Sequence, residues 1–176
     1  MGWTRSGKVI ALGCLLLVPF ALPVGAQVGA GELALGYVRA LRPDSGVAVQ
    51  DKVEMIAFLE KNYAGSNSTL MTNALFNACN ASMEREPKVR EAAARVLGSV
   101  CNLQDIMYIH RLARVASPSS EPEPAVRMAA LQSLARSNRS LAASAVRESA
   151  KANGDPDPEV RRYAQKLIEE NPHLLQ

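Results

Sequence analysis

The chain has 176 residues, 21% of them charged and 48% apolar, with a formal net charge of +3. Its length suits a single domain able to bury a sizeable core. Two of the 20 Lys and Arg, Arg5 and Lys8, fall in the first 26 residues, leaving 18 against 17 Asp and Glu. So even a balance argues against nucleic acid as a partner, which needs a row of phosphate-neutralising cations.

Residues 1–26 read as an export signal. Arg5 and Lys8 give a positive start, Val9 to Leu22 is apolar, and Val24-Gly25-Ala26 sets small residues before Gln27. The apolar run is too short, and too interrupted by Pro19, to be a comfortable span. Cleavage is therefore predicted near Ala26, giving a periplasmic or secreted chain with no stable membrane insertion. Cys14 follows Ala11-Leu12-Gly13, a poor lipoprotein processing box that lies midway through the apolar run. A retained anchor, or lipidation at Cys14, stays open as an alternative.

Residues 27–50 form an N-terminal extension in which Gly31 to Leu41 predicts a short helix, broken by Pro43. The repeat domain is placed at 51–176. Asp51-Lys52-Val53, with Ile56, Ala57 and Leu59 behind it, reads as a degenerate first copy. In that register Val53 stands 36 residues before Val89 and Glu54 takes the place of an arginine. Ser68 to Met83 predicts its partner helix. Cys79 and Cys101 would then be offset by roughly 13 Å along the helix axes at 1.5 Å per residue. A disulfide tolerates only about 7 Å between Cα atoms, so two reduced, buried thiols are expected.

A phrase then recurs three times: Glu86-Pro87-Lys88-Val89-Arg90, Glu123-Pro124-Ala125-Val126-Arg127 and Asp157-Pro158-Glu159-Val160-Arg161, spaced by 37 and 34 residues. Proline has a fixed φ and no amide hydrogen, which suits the first position of a helix. The acid before it faces the positive end of the helix dipole. Behind the middle copy, Val126, Ala129, Ala130, Ser133 and Leu134 follow the i, i+3, i+4, i+7, i+8 series of a one-sided helix. The same offsets land on Val89, Ala92, Ala93, Val96, Leu97 and on Val160, Tyr163, Ala164, Leu167, Ile168. Asn102 to Arg114 and Ser140 to Lys151 predict second helices, the latter with Ser140 as N-cap. Ala116 to Glu123 is a linker, and Asn153-Gly154-Asp155-Pro156 makes the equivalent break. The predicted fold is all-α: a short α-solenoid of about three antiparallel helix pairs plus a final helix, Pro158 to Glu170.

The pattern E/D-P-x-V-R-x-x-A-A-x-x-L resembles the first helix of the short bacterial HEAT-like repeat, also called the bilin-lyase-type repeat, over Met83 to Glu170. The resemblance implies that Arg90, Arg127 and Arg161 pair with acids of a neighbouring repeat. Glu86, Glu123 and Asp157 recur in step with these arginines and are the expected partners. A ladder of cations offered to an anionic ligand is the competing reading.

The sequence carries little for catalysis. His110 and His173 lack ligand-spaced companions, and neither a glycine-rich phosphate loop nor G-x-S-x-G occurs. No catalytic residue, metal or cofactor is assigned. The leading expectation is a non-enzymatic scaffold or adaptor for an unidentified protein partner. Its candidate contact residues are Arg136 and Arg139, from a basic stretch, and Tyr163 and Leu167, from an apolar end that could also self-associate. Alternatively, Leu174 and Leu175 fold back over that end as a lid. Two rivals stand beside the adaptor: a lyase-type or accessory enzyme of the repeat family, and an envelope component binding anionic polymers.

Overall fold

Proline-led helices stacked side by side set the architecture of the chain. The computed structural model describes residues 30–66 and 68–175, with side chains from residue 35 onward. The predicted leader lies outside the described residues. Among those residues there are eight α-helices and no strand: α1 (Ala30–Ala40), α2 (Val49–Tyr63), α3 (Thr69–Ala78), α4 (Pro87–Val100), α5 (Ile106–Val115), α6 (Pro124–Ala135), α7 (Ser140–Ala150) and α8 (Pro158–Glu170). A 3-10 turn, Pro172–Leu175, follows. No described helix is long and apolar enough to cross a membrane.

The helices form two layers. In the first, α2, α4, α6 and α8 lie side by side; in the second, α5, α7 and the 3-10 turn follow one another, with α3 packed on α4 at the near end. Helix α1 packs on α3, and Tyr37 meets Phe58 of α2 with ring centroids 5.1 Å apart. This is the all-α solenoid expected from the repeated phrase. Its core runs between the layers through Ile56, Leu59, Leu75, Val89, Leu97, Leu112, Val126, Leu134, Val146 and Val160, all fully buried.

Where α4 and α6 touch, the backbones come very close. A Cβ on Gly98 would stand 2.9 Å from Ser133 Cα and 2.7 Å from Ser133 Oγ. That hydroxyl donates to Ala94 O at 2.7 Å and accepts from Gly98 N at 3.2 Å, so a side chain joins two helix backbones. Gly65, at φ +74°, takes α2 out of its helix and donates to Ser99 O at 2.9 Å.

Three element boundaries differ from the sequence reading, each through a short polar side chain. Helix α3 ends at Ala78 rather than Met83, because Asn80 Oδ1 accepts from Ser82 N and from its hydroxyl. Helix α5 starts at Ile106 rather than Asn102. Asn102 Oδ1 accepts from Gln104 N in a tight turn, and Asp105 caps the helix through Met107 N. Ser140 is the first residue of α7, not its cap; Arg139 holds that place, and Ser137 Oγ accepts from its amide at 3.2 Å.

The register of the first repeat also differs. Lys52, Met55, Ile56 and Leu59 are the buried residues of α2, and they match Arg90, Ala93, Ala94 and Leu97 of α4. The offset is therefore 38 residues, not 36. Lys52, not Glu54, takes the arginine position, while Ala57 faces solvent.

Cys79 and Cys101 are both buried and both reduced. Burial pushes each thiol up to about 12, although Arg111 pulls the Cys79 value the other way.

Candidate functional site

Polar chemistry inside the molecule is concentrated in a ladder beneath the first layer. Arg90 Nη1 donates to Glu84 O and Arg85 O at 3.0 and 2.9 Å, which fixes its guanidinium against the loop entering α4. Its Nε and Nη2 then grip Glu121, one repeat later, at 2.8 and 2.9 Å. Arg127 repeats the arrangement: Nη1 donates to Glu121 O and Pro122 O, and Nε and Nη2 hold Asp155 at 2.7 and 2.8 Å. Planar guanidinium suits this two-sided use because its donors leave in fixed directions. At the first rung Lys52 Nζ donates to Glu84 Oε2 at 2.7 Å, a single contact in place of a fork.

The acids of the ladder are thus Glu84, Glu121 and Asp155, each two residues before the acid expected from the phrase. Each carboxylate also accepts from the amide two residues on: Glu86 N, Glu123 N and Asp157 N, at 3.1, 3.0 and 2.9 Å. Those amides belong to the residues expected as partners, which instead occupy the N-cap position of α4, α6 and α8. A residue at the N-cap points its side chain along the helix start, so it cannot reach under the layer. Asp157 caps Glu159 N at 2.7 Å, whereas Glu86 and Glu123 are exposed and make no cap bond.

Arg161 ends the series. Its Nη1 keeps both carbonyl bonds, to Asp155 O at 2.6 Å and Pro156 O at 3.0 Å. Its Nε and Nη2 meet no carboxylate among the described residues.

The second layer carries a surface cleft of about 110 Å³ between α3 and α5. Phe76, Asn80, Arg111, Arg114 and Ser120 line it, over the buried Cys79 and Glu121. Arg111 is locked in place: its guanidinium lies 4.0 Å above the Phe76 ring, and Nη1 donates to Asn73 Oδ1 at 2.9 Å. Phe76 in turn stacks on Tyr108 at 5.7 Å. Glu121 is engaged by Arg90, and α3 contributes no charged residue, so the cleft is cationic. Large apolar side chains stand exposed at the starts of the same helices: Leu70 on α3, and Ile106 and Met107 on α5. Leu70 and Met107 lie 37 residues apart, one repeat period. This cleft was not singled out in the sequence. Arg111 opens the basic stretch, Arg111 to Lys151, that also holds Arg136 and Arg139, but its pairing with Phe76 joins different repeats and left no local signal.

The candidate contact residues do not gather at one place. Arg136 and Arg139 flank the turn between α6 and α7, both exposed, and Arg139 donates to Gln104 O at 2.9 Å. Tyr163 lies half-buried beside Met128, Glu159, Arg162 and Lys166. Leu167 is buried, so it offers no contact surface. The 3-10 turn packs on α7 and α8; Leu174 is fully buried there, whereas Leu175, expected to join it, is exposed. Arg147 donates to Leu174 O, and His173 Nε2 lies 3.0 Å from Ala135 O, holding this lid shut. His110 is exposed. Among the described residues no group of three His, Cys, Asp or Glu is placed to hold a metal ion.

No family model, curated protein sequence or solved structure matches the chain.

Proposed function

We propose that the chain is an exported, non-catalytic scaffold of the short HEAT-like repeat kind, binding a protein partner across its second-layer face. The observation that carries this reading is the α3–α5 cleft, where a rigid arginine stands over an aromatic ring, on the two helices whose starts expose Leu70, Ile106 and Met107. Arginine, methionine and aromatic side chains are the types enriched at interface centres, where a few well-packed anchors carry most of the affinity. Held by Phe76 and Asn73, Arg111 has little side-chain freedom left to lose on binding. The buried ladder arginines support the scaffold role in a different way, by fixing one repeat against the next.

The test is an affinity capture from an envelope extract, run in parallel with the parent chain and with Met107→Glu. The variant adds a charge at an exposed site and leaves the core intact. One stoichiometric protein retained by the parent and lost by the variant is the expected result. A partner held equally by both puts the contact elsewhere; no partner in either removes the adaptor reading.

A further inference from the structure

We infer that Arg161 is a docking point for a carboxylate supplied by another protein. The argument comes from the two internal rungs. In Arg90 and Arg127, Nη1 is tied to two carbonyls of the helix's own entry loop, which leaves Nε and Nη2 pointing at the next repeat. In both, that edge receives an Asp or Glu bidentately, at 2.7–2.9 Å. Arg161 is tied in the same way, so its guanidinium is already oriented, and the receiving edge is vacant among the described residues. The molecule therefore displays twice what the third site accepts.

The surroundings of Arg161 narrow the kind of occupant. Gln165 and Glu169 on α8 stand where α6 has Leu131 and Ala135, and both are exposed, whereas the α6 pair is buried. Gln165 Nε2 donates to Ala150 O at 3.2 Å, but the Glu169 carboxylate has no partner among the described residues, and a further helix packed along α8 would bury it at a cost the internal interfaces avoid. A loop that reaches only Arg161 avoids that cost. A second copy of the chain offers no such loop acid: Glu84, Glu121 and Asp155 are engaged, and Asp105 and Asp157, which also accept from the amide two residues on, are turned along the helices they cap. The occupant is thus an aspartate or glutamate in a loop of a different protein, presented as Glu121 and Asp155 are, beside a backbone amide that steadies it.

The probe is a blocked synthetic peptide of residues 153–161, which carries the acid-proline loop in trans. It is titrated into the ¹⁵N-labelled chain while the arginine Nε–Hε signals are followed by NMR. A saturable shift of the Arg161 signal is expected, with Arg90 and Arg127 unmoved because their edges are filled. The same peptide with Asp155→Asn should bind at least about tenfold more weakly, having lost one charge-assisted bidentate contact. An equal response to the Asn peptide, an equal shift at the neighbouring exposed Arg162, or no shift at Arg161 would each overturn the assignment. The readout is independent of the α3–α5 cleft, so it stands or falls apart from the proposal made there.

Discussion

The guanidinium of Arg127 lies edge to edge with the carboxylate of Asp155, two nitrogens on two oxygens, and both side chains are almost wholly closed to water. The residues are 28 apart in sequence and belong to successive repeats. Each such pair ties one first-layer helix to the loop that begins the next.

Because these pairs are buried, deleting one partner strands the other. Glu121→Ala should cost about 3–5 kcal/mol, since it leaves the Arg90 charge uncompensated in the interior. Replacing both Arg90 and Glu121 with apolar residues of similar volume should cost markedly less than the sum of the single changes. Urea unfolding of the four-member cycle measures both; additive losses would show that the pair is not coupled.

Gly98→Ala pits helix propensity against space. The change should gain up to about 1 kcal/mol in a helix interior. The new Cβ meets Ser133 Cα at 2.9 Å, however, and pushing α4 from α6 costs about 1–3 kcal/mol. A net loss is expected, read as a lower unfolding midpoint, and a stabilised variant would contradict the close approach.

Thr72 carries the one buried side-chain oxygen, among the described residues, without a hydrogen-bond partner. A hydroxyl stripped of water and left unpaired costs roughly 1–3 kcal/mol. Thr72→Val keeps the shape and removes the polar atom. It should stabilise the protein by about 1 kcal/mol in thermal or urea unfolding, and a loss of that size would mean the hydroxyl is bonded after all.

Leu134 is fully buried and Met107 is exposed, so truncation should separate them. Leu134→Ala should cost about 2–5 kcal/mol, including the cavity it leaves. Met107→Ala should stay within about 0.5 kcal/mol, as surface changes do. Equal losses would place Met107 in the core and remove it as a contact residue.

The thiols give a pH dependence with a definite sign. Burial holds Cys79 and Cys101 protonated up to about 12, against an ordinary value of 9.0. Above pH 9 the unfolded chain sheds these protons and the folded chain keeps them, so the folded state binds more protons and stability falls as pH rises. The fall spans pH 9 to 12, at up to about 3 kcal/mol per pH unit for two groups acting together. In Cys79→Ala/Cys101→Ala that alkaline limb should flatten, as followed by unfolding at pH 8 to 11.

The repeated helix was legible because proline, valine and arginine each do local work: one starts the helix, one opens its buried stripe, one leaves it at a fixed angle. The ladder acids were legible too, since Glu84, Glu121 and Asp155 share the spacing of the arginines. They were masked by Glu86, Glu123 and Asp157, two residues on, which keep the same period. Choosing between the two sets needs the N-cap geometry, which turns the later acid outward. Lys52 was hidden for another reason. Aligning the first repeat on Val53 matched a half-buried valine to a buried one, and only the burial of Ile56 and Leu59 restores the register. The α3–α5 cleft left no trace in any single repeat, because Phe76 and Arg111 meet across two of them.

A consequence of the ladder is that its ion pairs are modular. Every rung takes its cation from a helix start and its anion from the following repeat, so excising residues 91–127 removes one whole period. The shortened polypeptide joins Arg90 to Met128, and Arg90 inherits Asp155 as its counterion. The same cut sets Ser133 against α2, where Glu60 holds the place of Gly98, so the ion pairs carry over to a shortened chain while that close helix contact does not.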